Sequence, residues 1–235
     1  MSGVGLAAPT RFTGDPAAFV RANTLVQGTP LVPEIVLHLA SEVVPLWQAT
    51  EEELAQQGLP PPYWAFAWAG GQALARYLLD NPAMVAGKRV LDFAAGSGLQ
   101  GIAAARAGAA AVTAAEIDPF AVAAIRLNAA LNEVEIDVIE HDLVGRSSAW
   151  DLILAGDVCY ERPMAERVFA WLQALAAEGA EVLLGDPGRT YLPKAGLERV
   201  TAYAVKTSRE LEDCDVRNAV VWRVTKRVQS SREQV

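Results

Sequence analysis

The sequence predicts an α/β protein built on a mainly parallel β-sheet, and two observations support that fold class. Between residues 88 and 226, short apolar runs alternate with stretches whose apolar residues recur at helical spacing. Strands that alternate with helices are joined by right-handed crossovers, which lay parallel strands side by side. The apolar runs are almost continuous rather than alternating, and such runs are typical of strands covered by helices on both faces.

Seven runs are predicted to be strands. Five belong to the parallel part of the sheet and lie at residues 88–93, 111–117, 134–140, 150–156 and 180–185. The last two, at 198–206 and 218–226, flank an acidic connection and are predicted to pair as a hairpin. Of the intervening helices, one is predicted to have Asp118 as its N-cap and Pro119 in its first position, and another to begin at Pro163.

The first 59 residues differ from the rest because they are rich in proline. Such a segment permits short helices separated by turns and disfavours a central strand. One helix is predicted after Pro33, where Ile35, Leu37 and Leu39 lie among polar residues. We therefore expect three parts: a helical, substrate-facing accessory segment at 1–59, a main domain at 60–228 and a polar tail at 229–235.

The composition excludes several classes of protein. The formal net charge is −8 and the isoelectric point is near 4.9, so we expect no nucleic-acid partner. Two cysteines, Cys159 and Cys214, and two histidines, His38 and His141, are too few for a disulfide scaffold or a Cys/His zinc cluster, and we expect no metal. The start lacks a basic n-region, and no run approaches about 18 apolar residues, so we expect a cytoplasmic protein with no membrane partner.

The sharpest local pattern is VLDFAAGSGLQG at residues 90–101. Gly96, Gly98 and Gly101 have G-x-G-x-x-G spacing after a predicted strand, and Glu116 closes the next strand 20 residues after Gly96. Glycines let the backbone approach a ligand closely, and a carboxylate at this place can bind two ribose hydroxyls. A tight structural turn is the alternative, but the combination favours a nucleotide-type ligand.

Two nucleotide-type ligands compete, a dinucleotide and S-adenosyl-L-methionine. In dinucleotide-binding domains the first glycine usually follows the strand directly, and the helix N-terminus binds the pyrophosphate. Here Asp92 lies at the strand end, where a carboxylate would repel a pyrophosphate and attract a sulfonium or ammonium group. Asp92 therefore favours S-adenosyl-L-methionine, and a carboxylate that merely caps the turn is the alternative.

The D-x-A-x-G-x-G run that begins at Asp92, with Glu116 and Asp142, resembles the motifs of class I S-adenosylmethionine-dependent methyltransferases. Within that class, three blocks are similar to the electron-transfer flavoprotein β-subunit lysine methyltransferases: PPYWAFAWAGGQALARYLLDNP within 60–82, GDVCY at 156–160 and GDPGR at 185–189. The resemblance implies a Rossmann-like sheet of seven strands in the order 3-2-1-4-5-7-6, with strand 7 antiparallel. It also implies S-adenosyl-L-methionine as cofactor and S-adenosyl-L-homocysteine as product.

The resemblance assigns a set of residues to the cofactor. They are Trp68, Asp92, Ala94, Gly96, Gly98, Glu116, Asp142 and Trp150. Glu116 would hold the ribose hydroxyls, and Asp142 would meet the adenine amino group. Ala94 stands where the family generally has glycine, a departure that leaves cofactor binding in place. For Trp68 and Trp150, ordinary core packing is the alternative role.

Asp157 and Tyr160 match the family's Asp-x-x-Tyr block, which implies catalytic roles. Methyl transfer from a sulfonium to an amine is an in-line displacement that depends on alignment more than on a strong base. Asp157 would guide the ammonium of a substrate lysine into the site and, with Tyr160, would orient the amine. Asp186 in the GDPGR block would contact the substrate or fix the turn, with Arg189 as its partner.

The function implied by this resemblance is a protein-lysine N-methyltransferase, with the β subunit of electron-transfer flavoprotein as the first candidate substrate. An acidic enzyme suits a lysine-rich target surface, because opposite potentials steer the encounter. The alternatives are a ribosomal protein as substrate, or methylation of a small amine or a heteroaromatic nitrogen. A nicotinamide-dependent oxidoreductase and a non-catalytic binding module are the remaining rivals.

Overall fold

The computed structural model describes residues 12–40, 54, 56, 59–147, 149–207 and 214–226. The predicted polar tail at 229–235 lies outside this part of the chain. Two sheets are present among the described residues, a two-stranded hairpin near the N-terminus and a seven-stranded sheet that forms the centre of the molecule.

The central sheet contains the seven strands that the sequence predicts. They are β3 (Arg89–Phe93), β4 (Ala111–Ala115), β5 (Asp137–Ile139), β6 (Leu152–Gly156), β7 (Glu181–Asp186), β8 (Leu197–Lys206) and β9 (Val216–Val224). Their order is β5-β4-β3-β6-β7-β9-β8, and only β9 runs antiparallel to its neighbours. Counted from β3, this is the order 3-2-1-4-5-7-6, so the predicted topology and the terminal hairpin are confirmed.

Helices cover both faces of this sheet. They are α2 (Ala69–Asp80), α3 (Leu99–Arg106), α4 (Pro119–Leu131) and α5 (Arg162–Ala177), and a further helix, α1 (Pro16–Ala22), packs on α4. Successive residues of β6 alternate between two clusters: Leu152 and Leu154 pack with α2 and α3, whereas Ile153 and Ala155 pack with α5. These four side chains are fully buried, which explains why the run reads as continuously apolar.

The helix predicted after Pro33 is wrong, because residues 36–39 form a strand. Strand β2 (Val36–Leu39) pairs antiparallel with β1 (Leu25–Gly28). On its other edge, the backbone N–H of His38 donates to Asn128 Oδ1 at 2.7 Å, and that of Val36 donates to Asn132 Oδ1 at 3.2 Å. Between residues 12 and 40 the N-terminal segment is therefore a helix and a hairpin rather than a helical unit.

The accessory segment packs on α4 through α1 and β2. Phe12 and Phe19 meet Phe120 edge to face, with ring centroids 5.0 Å apart in each pair. A short 3₁₀ turn, Tyr63–Ala65, then leads the chain over these strand ends and into α2. No helix in the described part of the chain is long and apolar enough to cross a membrane.

Candidate functional site

A cavity of about 480 Å³ opens at the carboxyl ends of β3, β4 and β6, where the strand order reverses. Open α/β sheets bind their ligands at this place. Seven of the predicted site residues line it: Trp68, Ala94, Gly96, Glu116, Asp142, Asp157 and Tyr160. The other four, Asp92, Gly98, Trp150 and Asp186, are not among its lining residues.

The glycine-rich loop after β3 turns through left-handed backbone conformations. Ala94, Gly96 and Gly98 have φ angles of 51°, 53° and 79°. A side chain makes this conformation unfavourable, by roughly 1–2 kcal/mol, so Ala94 carries a cost that the glycine usual in the family would avoid. Gly98 does not line the cavity. Glycine is favoured there because the residue is the left-handed N-cap of α3 and lies against Ile125.

Asp92 lies beneath this loop rather than in the cavity. Its side chain is fully buried, and its Oδ2 accepts a 2.8 Å hydrogen bond from the backbone N–H of Gly101 in the first turn of α3. Burial raises the pKa of Asp92 well above its ordinary value, and nearby Glu116 adds to this. Asp92 therefore supports the loop and the helix. It does not line the cavity, so it is not placed to attract a ligand cation directly.

Glu116 follows β4 and is oriented by three backbone groups. Its Oε2 accepts from the N–H of Gly96 at 3.0 Å, and its Oε1 accepts from the N–H groups of Ile117 and Asp118 at 2.7 and 3.3 Å. The carboxylate is thus fixed at the cavity wall beside the glycine loop, as a ribose-binding group would be.

Asp118 also lines the cavity, although the sequence assigned it only an N-cap role. That role is confirmed, because its Oδ1 accepts from the N–H of Phe120 at 2.9 Å. Burial, with a contribution from the neighbouring Glu116, raises the pKa of Asp118 to about 6. The acid-x-acid spacing at the end of the second strand was the available signal for a second carboxylate here.

The two residues assigned to the adenine have different environments. Asp142 lines the cavity, and its Oδ2 pairs with Arg167 Nη1 at 2.7 Å. Its Oδ1 accepts from the N–H of Val144, and this bond, with Arg167, lowers the pKa of Asp142. Trp150, by contrast, is half-buried against the core on the α5 face. Trp150 therefore has the alternative role, packing against the core.

Asp157 forms the other end of the cavity and has both carboxylate oxygens engaged. Its Oδ2 accepts from the N–H of Gly71 at 3.0 Å, and its Oδ1 accepts from the Arg189 guanidinium, at 2.8 Å from Nη2 and 3.1 Å from Nε. The backbone of Asp157 is left-handed, with φ 56°, and its N–H donates to the carbonyl of Gly185. Such a conformation in a non-glycine residue is typical of functional sites.

Gly70 allows α2 to approach these two strand ends. A Cβ on Gly70 would overlap the carbonyl oxygen of Gly185 and lie 2.5 Å from Asp157 Oδ2. Only glycine fits between β7 and Asp157 without displacing backbone. The pair Gly70-Gly71 in the first turn of α2 therefore determines where the Asp157 carboxylate is held.

Arg189 contacts two carboxylates. Its backbone N–H binds Asp186, the partner that the sequence predicts, whereas its guanidinium binds Asp157 and lies over the Trp68 ring, 5.5 Å from the centroid. Asp186 instead fixes the turn: it is fully buried, and its Oδ1 accepts from the backbone N–H groups of Gly188 and Arg189 at 2.6 and 2.7 Å. Of its two predicted roles, the structure supports the turn.

Three aromatic side chains surround the mouth near Asp157. The Tyr63 ring lies 5.4 Å from that of Tyr160 and 6.2 Å from that of Trp68. The indole N–H of Trp68 donates to the carbonyl of Tyr63 at 2.9 Å, which orients the indole toward Arg189. Burial raises the pKa of Tyr160 to about 12, so its hydroxyl remains a hydrogen-bond donor at neutral pH.

The remaining candidates are placed as follows. Cys159 is buried, and burial raises its thiol pKa to about 12, which argues against a thiolate nucleophile. His38 belongs to the N-terminal hairpin and lies 3.0 Å from the Thr24 hydroxyl, whereas His141 lines the cavity beside Asp142. No group of His, Cys, Asp and Glu suited to a metal ion occurs among the residues that the structure describes.

The polar and apolar groups that line the cavity fit S-adenosyl-L-methionine. The volume of the cavity falls within the usual range for small-molecule sites, roughly 300–1,000 Å³. Glu116 and Asp142 offer acceptors for hydroxyl and amino groups, and the wall between them is apolar, with Phe93 and Ala115 among its residues. Gly96 would bring bare backbone to the ligand, because an added Cβ there would have no neighbour closer than 3.8 Å.

Comparisons with known proteins agree with this geometry. The sequence model of the family described as ribosomal protein L11 methyltransferase (PrmA) matches residues 73–159. Two relatives named electron transfer flavoprotein beta subunit lysine methyltransferase are similar over most of the chain. The one from Danio rerio is 38% identical over 213 residues, covering 87% of this chain and 81% of the relative, and the one from Homo sapiens is 37% identical, covering 87% and 80%.

A solved structure shares the fold. The ribosomal protein L11 methylase from Lactobacillus delbrueckii subsp. bulgaricus superimposes with a TM-score of 0.51, over 85% of this chain and 98% of that one. The sequence identity is 22%, so this likeness concerns the architecture of the sheet and its helices.

Proposed function

This chain belongs to the family of electron-transfer flavoprotein β-subunit lysine methyltransferases, and on that premise we propose that it methylates lysine side chains of the β subunit of an electron-transfer flavoprotein. It is an S-adenosyl-L-methionine-dependent enzyme, and its reaction is the N-methylation of lysine in a protein. The observation that carries the proposal to the site is the position of Asp157 and Tyr160 at one end of a cavity whose other wall carries Glu116.

Within this proposal, the wall formed by the loop after β3 and by β4 holds the cofactor. When bound, S-adenosyl-L-methionine supplies a methyl group activated by its sulfonium charge. Glu116, already oriented by the N–H of Gly96, binds the ribose hydroxyls, and Asp142 receives the adenine amino group. Trp68 packs at the boundary between this wall and the substrate mouth.

The substrate lysine enters beside the contacting aromatic rings of Tyr63 and Tyr160, each of which is more than 40% exposed. The apolar stem of the lysine packs on these rings, and its Nζ comes to rest near Asp157. Because a lysine amine has an ordinary pKa of about 10.4, its proton must leave to water before the nitrogen can attack. Tyr160, with its hydroxyl protonated, and Asp157 then align the nitrogen with the methyl group.

The net charge of −8 supports a basic partner surface. Opposite potentials raise the association rate of enzyme and substrate. This gain in rate falls steeply as the salt concentration rises. We therefore expect the rate of methylation at low substrate concentration to fall between about 50 mM and 300 mM NaCl, while the affinity for the cofactor changes little.

The proposal is tested with methyl-labelled S-adenosyl-L-methionine and the purified electron-transfer flavoprotein from the same source. We expect label on lysine residues of the β subunit, identified by peptide mass spectrometry, and none with Asp157→Ala. The variant should still bind S-adenosyl-L-homocysteine, because Asp157 lies away from the proposed cofactor wall.

Two results would contradict this proposal. Label on other proteins of a cell extract, with the flavoprotein unlabelled, would leave lysine methylation in place and replace the substrate, with ribosomal proteins as the first class to examine. Label confined to the small-molecule fraction would favour a small amine or a heteroaromatic nitrogen as the acceptor.

A further inference from the structure

The acceptor end of the cavity holds an ion pair that is more buried than the other pairs among the described residues. The side chains of Asp157 and Arg189 are 8% and 19% exposed, whereas those of Arg89 and Asp151, a pair at the opposite edge of the sheet, are 58% and 43% exposed. Charges removed from water interact more strongly than exposed ones. The Asp157 carboxylate, which would be close to a substrate ammonium, is therefore already paired with the Arg189 guanidinium.

Arg189 is held in place from three directions. Its backbone N–H is bound by the buried Asp186 carboxylate, its guanidinium approaches a single oxygen of Asp157 through both Nε and Nη2, and its plane lies over the Trp68 ring. A guanidinium held in this way loses little entropy on pairing and is difficult to displace. The arrangement is that of a fixed countercharge, not of a side chain that moves aside for each substrate.

A fixed countercharge matters because the chemistry needs a neutral amine. A carboxylate alone beside a lysine Nζ stabilises the ammonium form, which has no lone pair to attack with. A cation on the far side of that carboxylate cancels much of this effect and leaves the oxygen atoms as hydrogen-bond acceptors. The two demands on Asp157, to orient the amine and not to hold its proton, are thereby separated.

We propose that Arg189 is a positioning residue that acts through Asp157: its guanidinium offsets the negative charge of that carboxylate, so that the substrate lysine is bound and reacts as the free amine. This inference rests on the proposed lysine methylation and adds to it the protonation state in which lysine is accepted. The step balances as follows. The proton on Nζ leaves to water, the Nζ lone pair forms the bond to the methyl carbon, and the carbon–sulfur bond breaks with its electron pair remaining on sulfur.

Several other ionisable groups lie around this pair. Burial raises the pKa values of Tyr160 and Cys159 to about 12, so both stay neutral up to pH 10. Asp186 faces the turn after β7, and Tyr63 faces the mouth from the 3₁₀ turn. The cavity groups more distant along the sheet are Glu116 and Asp118 after β4, and His141, Asp142 and Arg167 around the end of β5.

The first experiment is a pH profile of methyl transfer for wild type, R189Q and R189K. R189Q removes the positive charge from beside two carboxylates, so we expect kcat at pH 7.5 to fall about tenfold. The pH profile of kcat should shift by about one unit to higher pH, so that kcat recovers as the pH is raised. The KM for the protein substrate should not rise, because ammonium binding is favoured. R189K retains the charge and should keep a profile close to that of wild type. The matched control is R89Q, which removes an arginine from the Arg89–Asp151 pair far from the cavity and should leave the profile unchanged.

A second measurement needs no protein substrate. n-Butylamine, the length of a lysine side chain, is titrated at pH 7 into each variant saturated with S-adenosyl-L-homocysteine, with binding followed by ligand-observed NMR. We expect R189Q to bind the butylammonium ion about tenfold more tightly than wild type, and we expect n-butanol, which has the same shape and no charge, to bind both equally. Tighter ammonium binding together with slower transfer at neutral pH is a combination that loss of structure would not produce.

The outcomes separate this inference from the proposed function. Lower activity of R189Q by the same factor at every pH, or equal gains in affinity for butylammonium and butanol, would overturn the inference and make Arg189 a structural or steric element. Higher activity of R189Q at pH 7.5 would also overturn it, because that result describes an arginine that blocks the site. If wild type fails to methylate the flavoprotein, the substrate proposal fails, and the n-butylamine titration alone decides the role of Arg189.

Discussion

The carboxylates that follow β4 and the one that follows β6 are held in opposite ways, whereas Asp142, after β5, is paired with Arg167. At the cofactor end, Glu116 and Asp118 lie two residues apart after β4, and neither is paired with a lysine or arginine of the described residues. They are oriented by backbone N–H groups alone. At the acceptor end, the more deeply buried Asp157 is paired with Arg189 and is fixed by the N–H of Gly71.

The difference reflects what each end must bind. Ribose hydroxyls are neutral donors, so the carboxylate that receives them needs free acceptor capacity and no countercharge. An amine that must lose a proton needs an acceptor whose charge is already compensated. The backbone-held, uncompensated acids after β4 and the compensated acid after β6 are thus suited to two successive tasks in one reaction.

The largest effect is expected from Gly70→Ala, which breaks the acceptor end. The new Cβ would overlap the Gly185 carbonyl and press on Asp157 Oδ2, so α2 and β7 would have to separate. We expect the free energy of unfolding in urea to fall by about 3 kcal/mol, at the upper end of the usual cost of overpacking, and methyl transfer to be lost.

Gly71→Ala is the matched control for that variant. An added Cβ at Gly71 would meet nothing closer than Gln100 Nε2 at 3.7 Å, and the N–H that binds Asp157 is retained. Alanine is also the better helix former, by up to about 1 kcal/mol. Equal stability losses for the two variants would show that close packing of α2 on β7 does not determine this end of the cavity.

An intermediate effect is expected from Glu116→Ala, which breaks the cofactor end. Hydrogen bonds to a charged group contribute about 1.5–3 kcal/mol each, so we expect the affinity for S-adenosyl-L-homocysteine, measured by calorimetry, to fall at least tenfold. Asp157→Asn serves as the opposite case: affinity should stay within about twofold of wild type while methyl transfer collapses. If the two variants lost cofactor affinity alike, the division of the cavity into two ends would be wrong.

The smallest effect is expected from Asp118→Asn, which sharpens the contrast in charge compensation. The pKa of Asp118 in the folded protein is about 6, above its ordinary value of 3.8, so the folded state binds this proton more tightly than the unfolded state. As the pH falls from 7 to 5, Asp118 becomes protonated and the wild type gains stability relative to the variant, by about 1 kcal/mol. Asparagine still caps α4 but does not titrate in this range.

The measurement for this prediction is urea unfolding of both proteins at pH 7 and pH 5. The quantity compared is the difference in unfolding free energy between wild type and Asp118→Asn, because other groups titrate equally in both. A difference that stays constant between the two pH values would mean that Asp118 is ionised in the folded protein throughout this range.

Much of the fold was accessible from the sequence because its signals are local. The continuous apolar runs, the Asp118-Pro119 helix start and the glycine spacing after β3 each depend on neighbouring residues, and together they predicted the seven strands within a few positions, except that β5 is shorter than its apolar run. The N-terminal hairpin was missed for the opposite reason. Residues 36–39 form a strand because β1 and two asparagines of α4, some 90 residues away, satisfy their backbone groups.

The candidate site divides in the same way. Residues at strand ends were predicted to meet, and Glu116, Asp142, Asp157 and Tyr160 do line one cavity, since parallel strands bring their carboxyl ends to one edge. Asp92 and Trp150 were assigned to the same cavity, but Asp92 binds the backbone beneath the glycine loop and Trp150 packs against the core. The sequence does not show this, because the side of a strand or loop on which a side chain emerges depends on packing.

By itself, then, the sequence predicted the seven strands and carried the family resemblance that implied the sheet order and the class of cofactor, because apolar periodicity, glycine positions and short motifs are properties of contiguous residues. Only the tertiary structure decided which charges meet. Asp157 is joined to Arg189 across 32 residues and to Gly71 across 86, and these contacts exist because β6, β7 and α2 pack within hydrogen-bond distance. Coulomb energy and hydrogen bonding depend on distance in space, so the compensated carboxylate of the acceptor end emerges only when the chain is folded.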